Sequence, residues 1–314
     1  MQSISFKSTE GPTAIPSWQV GDLTLHRVDE IPLPPATGNW LLPDATPQVV
    51  ARHDWLRPDF ADHEGVLRLA SHSFAFSAGG LRVVVDTGIG NGKTRANPAW
   101  HDLRTDYLQR LTAAGFPPDA VDLVILTHLH TDHVGWNTHR AADGTWAPTF
   151  PNARYLTSHA EREFWAGYAM DEARAQMFRD SVQPVEEAGL LDLVHLPDEG
   201  LEVAPGLRLL PTPGHTPGHL AVRLDSRGAS ALITGDCVHH PVQLPEPGIT
   251  SCADIDPAQA GTTRRALLAA LVGTGTLVLG THFPPPTAGQ VSGDADGGYR
   301  LVPVHPNPPA AGAD

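Results

Sequence analysis

The heptapeptide Thr-His-Leu-His-Thr-Asp-His, residues 127–133, places three histidines and one aspartate in seven positions. Imidazole nitrogen and carboxylate oxygen are both short-range ligands for zinc and similar divalent ions. In an extended or turning segment, side chains two positions apart point the same way, so His128 and His130 can share one ion. Asp132 and His133 lie further round the turn and can face a second. One cluster fills only part of two coordination shells. Three further residues sit in matching contexts, each after an apolar run and beside Gly, Pro or Thr: His215 in TPGHTPGH, Asp236 in ITGDC and His282 in VLGTH. Two neighbouring divalent ions acidify a shared water and polarise the group it attacks, which is hydrolytic chemistry that needs no Ser or Cys nucleophile.

Such residues meet only if strands end at the same place. VDLVIL (121–126) runs into the cluster and reads as a buried strand. SFAFSAGGLRVVVDTG reads as a hairpin turning at Gly79-Gly80 and ending at Asp86. Leu103, Tyr107 and Leu111 form a helical stripe over 103–114, stopped by Gly115 and Pro117-Pro118. ARYLTS predicts a strand, and Ser158-His159-Ala160-Glu161 a capping box opening a helix. GLRLLPTPGHTPGHLAVRL, ALITGD and LVLGTH predict further short strands. Asp256-Pro257 caps a helix that Gly273 ends. Residues 1–65 read as an irregular arm or lid with short strands near Leu23–Val28, part of the same domain as the catalytic region 66–285. Residues 286–314 read as a Pro/Gly-rich surface tail. Grouped strands with interspersed helices predict an α+β sandwich of αββα layering, two packed mixed sheets flanked by helices with the metal site at the strand ends. A doubly wound parallel sheet is the competing architecture.

Composition narrows the partners. The 314 residues are 41% hydrophobic, as in an ordinary soluble domain. A formal charge of −14, with only 21 Lys and Arg, argues against nucleic acid or an anionic membrane, both of which are held by clustered cations. No apolar run has signal-peptide or membrane-spanning character. Two cysteines, Cys237 and Cys252, make no disulfide framework. The expectation is a cytoplasmic protein with reduced thiols and a small-molecule substrate; a homodimer is compatible with it.

The order H-x-H-x-D-H, then an isolated His, an Asp and a final His, resembles the metallo-β-lactamase superfamily of dinuclear hydrolases over roughly residues 66–285. GDCVHHPVQLP and DPAQAGTTRRALL resemble the branch holding methyl parathion hydrolase and related lactonases. The resemblance implies two divalent ions, zinc first and Fe, Mn or Co as substitutes. His128, His130 and His215 would bind one, and Asp132, His133 and His282 the other, with Asp236 bridging. It implies that Asp86 supports the ligands from behind, with Thr127 beside them; a turn-capping Asp is the plainer reading of Asp86. Asp132 would accept a proton and orient the nucleophile, and His239 would protonate the leaving group. Lactonases of the best-known type carry Tyr at the His239 position, so their mechanism does not transfer unchanged.

Trp136, His240, Leu244 and Phe283 follow proposed ligands closely and are pocket wall or core with equal standing. No Lys or Arg lies near a ligand in sequence, Arg140 being the nearest, which predicts a neutral, largely apolar lactone, aryl ester or phosphotriester. A cation from the arm, such as Arg52 or Arg57, would change that. The competing activities are a single-iron dioxygenase of the persulfide dioxygenase kind and a glyoxalase II-like thioesterase on the same fold.

Overall fold

Phe74, Phe76, Val83 and Val85 face one side of their strands and Ala75 and Val84 the other, and both sides are buried. A sheet covered on both faces needs two further layers. The computed structural model, which describes residues 15–293 and 297–308, supplies them as the αββα sandwich.

The first sheet contains β1 (Ser17–Val20), β2 (Leu23–Pro32), β3 (Ala70–Ala78), β4 (Leu81–Val85) and β5 (Leu123–Ile125). A separate small hairpin, β6 (Thr138–Arg140) and β7 (Trp146–Pro148), follows in the chain, and β8 (Arg154–Ser158) and β9 (Leu191–Val194) complete the sheet. Pairing is antiparallel from β1 to β4 and parallel from β4 to β9. The second sheet runs β10 (Leu201–Ala204), β11 (Leu207–Pro211), β12 (Leu220–Ser226), β13 (Ala229–Ile233), β14 (Leu277–Leu279), β15 (Ala288–Gly293) and β16 (Tyr299–Pro303). Only β13 and β14 are parallel there.

Alternate residues of the two sheets interleave, Phe74, Phe76, Val83 and Ile125 against Leu207, Val222, Ile233 and Leu279. Helices Tyr107–Ala113, His159–Gly167 and Glu172–Ser181 cover the first sheet through Tyr107, Leu111, Trp165 and Met177. Helix Pro257–Leu271 covers the second through Leu268 and Leu271. At the expected β3–β4 hairpin, Gly79 and Gly80 have φ of 58° and 83°, the left-handed pair that a two-residue turn requires. No helix among the described residues is long and apolar enough to cross a membrane.

Three boundaries differ from the sequence expectation. The arm is more regular: β2 is ten residues long and pairs along β3, and Leu41, Leu42, Val50, Leu56 and Phe60 are buried. Its first 14 residues lie outside the described set. The tail is not mostly loop. Val291, between Gln290 and Ser292 in β15, and Leu301, between Arg300 and Val302 in β16, bury against helix Pro257–Leu271, a pattern hidden by the surrounding Gly and Pro; residues 294–296 and 309–314 lie outside the described set. The helix foreseen from Leu103 begins at Tyr107, because Asn91 and Gly92 bind the backbone of Leu103 and Thr105.

A buried charge network ties the loop after β4 to helix Glu172–Ser181. Arg95 donates to both carboxylate oxygens of Asp180, at 2.8 and 2.9 Å. Lys93 Nζ donates to Thr138 Oγ1 and to the Asp180 carbonyl, at 2.7 and 2.9 Å, and sits 3.7 Å from the Trp146 ring centroid. Burial pushes the Lys93 ammonium down to about 7 against the opposing pull of Asp180. Removing one partner strands two buried cations. Asp180→Ala should therefore cost roughly 3–5 kcal/mol in urea denaturation, and a loss below about 1 kcal/mol would show that the network carries no stability.

Candidate metal centre

Each foreseen ligand lies just beyond a strand. His128 and the turn to His133 follow β5, Asp236 follows β13, His282 follows β14, and His215 lies between β11 and β12. The carboxyl ends of the two parallel pairs, β4–β5 and β13–β14, together with the β11–β12 connection, bring all seven side chains together.

Their donor atoms form two groups around one carboxylate. His128, His130 and His215 make one triad, and Asp132, His133 and His282 the other. Within the first, His215 Nε2 lies 3.2 Å from His128 Nε2 and 2.9 Å from His130 Nδ1. Asp236 Oδ2 faces that triad, 3.4 Å from His215 and 3.8 Å from His128. Asp236 Oδ1 faces the second, 3.2 Å from His282 Nε2 and 3.4 Å from His133 Nε2. Asp132 closes that side, 3.6 Å from His282. Nitrogen ligands at about 2.05 Å in a tetrahedron stand about 3.3 Å apart, so these separations fit two zinc-sized ions.

Four imidazoles are held so that Nε2 points inward. His133 Nδ1 donates to Asp86 Oδ2 at 2.9 Å, His215 Nδ1 to Asp254 Oδ1 at 2.8 Å, and His282 Nδ1 to the Ala70 carbonyl at 3.0 Å. Thr127 Oγ1 donates to Asp86 Oδ2, leaving its oxygen to accept from His128 Nδ1 at 3.0 Å. The Nε2 lone pairs are thus free for a cation, and His133 Nε2 is buried with no hydrogen-bond partner. Asp86 also accepts from Thr127 N at 2.8 Å and adopts φ 55°, a left-handed conformation costly for a non-glycine residue. Its contacts exceed those of a turn cap.

Burial lowers His128, His130 and His215 well below the ordinary imidazole value, leaving them neutral donors at neutral pH. Burial acts the same way on His133 and His282, but the carboxylates, Asp236 first, outweigh it and raise both. Burial opposes ionisation of Asp236 too, yet His282 and His133 hold it well below the usual carboxylate range.

Other supports were not legible in sequence. Asp254 orients His215 and accepts from Ser251 N at 2.8 Å. His219 accepts the Asp236 N–H at 2.9 Å. The capping box holds by half: Ser158 caps the Glu161 N–H, but the buried Glu161 carboxylate takes Leu129 N, Trp165 Nε1 and Gly218 N. That bond ties the two metal-ligand loops to one helix. Gly218 permits it, since a Cβ there would lie 2.0 Å from Glu161 N.

The foreseen pocket residues are elsewhere. Trp136 stacks on Tyr107 at 5.5 Å and donates to Glu30 Oε1 at 2.8 Å. His240 accepts from Val242 N and donates to the Phe60 carbonyl, while Leu244 and Phe283 join the cluster beneath the arm. All four are core, because nearness to a ligand in sequence does not fix the direction a side chain takes. His239 is fully buried with Nε2 3.3 Å from Asp236 Oδ2 and does not line the cavity.

Above the ligands is a cavity of about 130 Å³, lined by His130, Asp132, His215, Asp236 and His282 below and by Leu33, Leu41, Trp40, Trp100 and Arg174 around. It continues into a groove of about 730 Å³. The expectation that no cation approaches the ligands is corrected here. Arg52 and Arg57 are paired with Glu246 and Asp54, whereas Arg174 comes from a helix far away in sequence.

The family model described as Metallo-beta-lactamase superfamily matches residues 66–282. The chain belongs to that superfamily. Among curated members, an N-acyl homoserine lactonase of Bacillus thuringiensis is 31% identical over 128 residues, 40% of this chain and 42% of that protein. Among solved structures, the hydrolase AbOPH matches with TM-score 0.75 and 24% identity over 95% of this chain and 100% of its own. AidC, a dizinc quorum-quenching lactonase with a product bound, matches with TM-score 0.75 and 21% identity over 94% and 99%. These two likenesses are of fold. In this metallo-β-lactamase superfamily member, Asp86 and Asp254 should act through the histidines they orient. Asp86→Asn and Asp254→Asn should keep the fold and weaken metal retention by about 10- to 100-fold in chelator competition; unchanged retention in both would reduce these residues to turn chemistry.

Proposed function

We propose that this chain is a dinuclear metal-dependent hydrolase acting on a lactone or aryl ester that carries an apolar group. The observation that carries the reading is Asp236, whose two oxygens address separate ligand triads. Two complete triads favour two ions over the single ion of an iron dioxygenase. The names of the curated relatives, N-acyl homoserine lactonases, support a lactone.

When bound, a pair of divalent ions supplies Lewis acidity and lowers the pKa of water towards neutrality. The remaining work falls to side chains. Asp132, partly exposed in the cavity floor, ligates and accepts the proton of the attacking water. His239 touches Asp236 and not the cavity, so it is a positioning residue for the bridge; this replaces the leaving-group role that its sequence position suggested. Trp40, Trp100, Leu33 and Leu41 exclude water around the acyl or aryl group. Zinc fits the His-rich donor set, with Fe, Mn or Co as substitutes. A phosphotriester remains the second substrate class, since its phosphoryl oxygen would be polarised in the same way.

Zinc-loaded protein assayed at matched concentrations should give higher kcat/KM for a hexanoyl lactone or an aryl hexanoate than for an aryl phosphomonoester or a glutathione thioester. A phosphomonoester or thioester as best substrate would sink this reading.

A further inference from the structure

Five residues line both the small cavity over the ligands and the large groove: Thr37, Trp40, Trp100, Thr131 and Arg174. Whatever reaches the ligands from the groove passes between them. Four are neutral. Arg174 is the one cation at this junction, half-buried on the first turns of helix Glu172–Ser181.

Its placement is built. The guanidinium lies 4.5 Å from the Trp165 ring centroid and 5.9 Å from that of Tyr168. Trp165 is fixed in turn by its Nε1 bond to Glu161 and packs against the ligand His130 at 5.6 Å between centroids. Among the described residues no carboxylate forms an ion pair with Arg174; the nearby Asp171 spends its side chain on the helix N-cap. The other arginine of the groove, Arg95, is neutralised by Asp180. Asp171 and Glu161 act on this half-buried guanidinium only through space, so its N–H donors keep room for a carboxylate from outside the chain.

We propose that Arg174 is a specificity subsite that receives a carboxylate carried by the substrate, so that the preferred ester or lactone is neutral at the scissile bond and bears one anionic group beside it. A guanidinium binds carboxylate through two parallel N–H donors, and the aromatic rings restrict its swing. The surrounding tryptophans take the apolar chain between the two polar ends. This rests on the hydrolase reading for turnover, but its binding arm does not.

The test compares the para-nitrophenyl monoester of adipic acid with para-nitrophenyl hexanoate, on wild type, Arg174→Met and Arg174→Lys. Wild type should favour the adipate ester by about 10- to 100-fold in kcat/KM, mostly through KM. Arg174→Met should abolish that preference while leaving hexanoate turnover within about threefold, and Arg174→Lys should keep part of it. A merely structural Arg174 would lower both esters together, and that outcome, or a preference that survives in Arg174→Met, overturns the proposal. If neither ester is cleaved the aryl-ester arm of the hydrolase reading fails, and the subsite is judged by binding of phenoxyhexanoate against phenoxyhexanamide, followed by tryptophan fluorescence. The carboxylate should bind about 10-fold tighter or better in wild type and equally with the amide in Arg174→Met; equal binding in wild type, or a preference held by the ligands without Arg174, overturns it.

Discussion

Asp236 is a carboxylate buried among imidazoles, and the rest of the architecture exists to make that burial tolerable. An ionised carboxyl out of water is expensive unless cations or donors surround it. Here its two oxygens face His215 and His128 on one side and His282 and His133 on the other, and its own N–H is held by His219. The imidazoles of the first triad have the converse difficulty, since burial strips His128 and His215 of charge and leaves lone pairs aimed at one another. Divalent cations held by these side chains would resolve both conflicts at once.

That arrangement demands rigidity, and the sandwich provides it. The candidate ligands stand on the carboxyl ends of parallel pairs in two sheets, His215 on the neighbouring β11–β12 connection, and the inner faces of those sheets interlock, so neither half of the site can move without disturbing the core. Behind them, Asp86, Asp254, Thr127 and the Ala70 carbonyl fix ring tautomers. Asp86 tolerates a left-handed backbone to do so, a strain consistent with function rather than folding. The groove is organised separately, by the Asp180 network that holds the loop bearing Trp100 against the helix bearing Arg174.

Much of this was legible in the chain itself. The seven candidate ligands were visible because metal coordination requires particular side chains at short spacings after apolar runs, and the αββα layering because strand and helix periods alternate in groups. What stayed hidden depended on long-range meetings. Asp254 carries no local signal, for its partner His215 lies 39 residues away; Arg174 packs on the nearby Trp165, but only the fold brings that pair to the ligand loops. Trp136, His240, Leu244 and Phe283 misled through proximity, because strand and turn geometry sends them into the core. The β15–β16 hairpin was masked by Gly and Pro, whose density outweighed two well-spaced apolar residues, Val291 and Leu301.

If the two triads each take an ion, the single carboxylate of Asp236 must hold both. Metal content by mass spectrometry of the wild-type chain and of Asp236→Ala, both reconstituted with zinc and both shown to be folded by circular dichroism, tests it most directly. About two ions per wild-type chain are expected, and one or fewer in the variant, with its hydrolytic activity gone. One ion in the wild type, or two ions and near-normal activity in the variant, would contradict it.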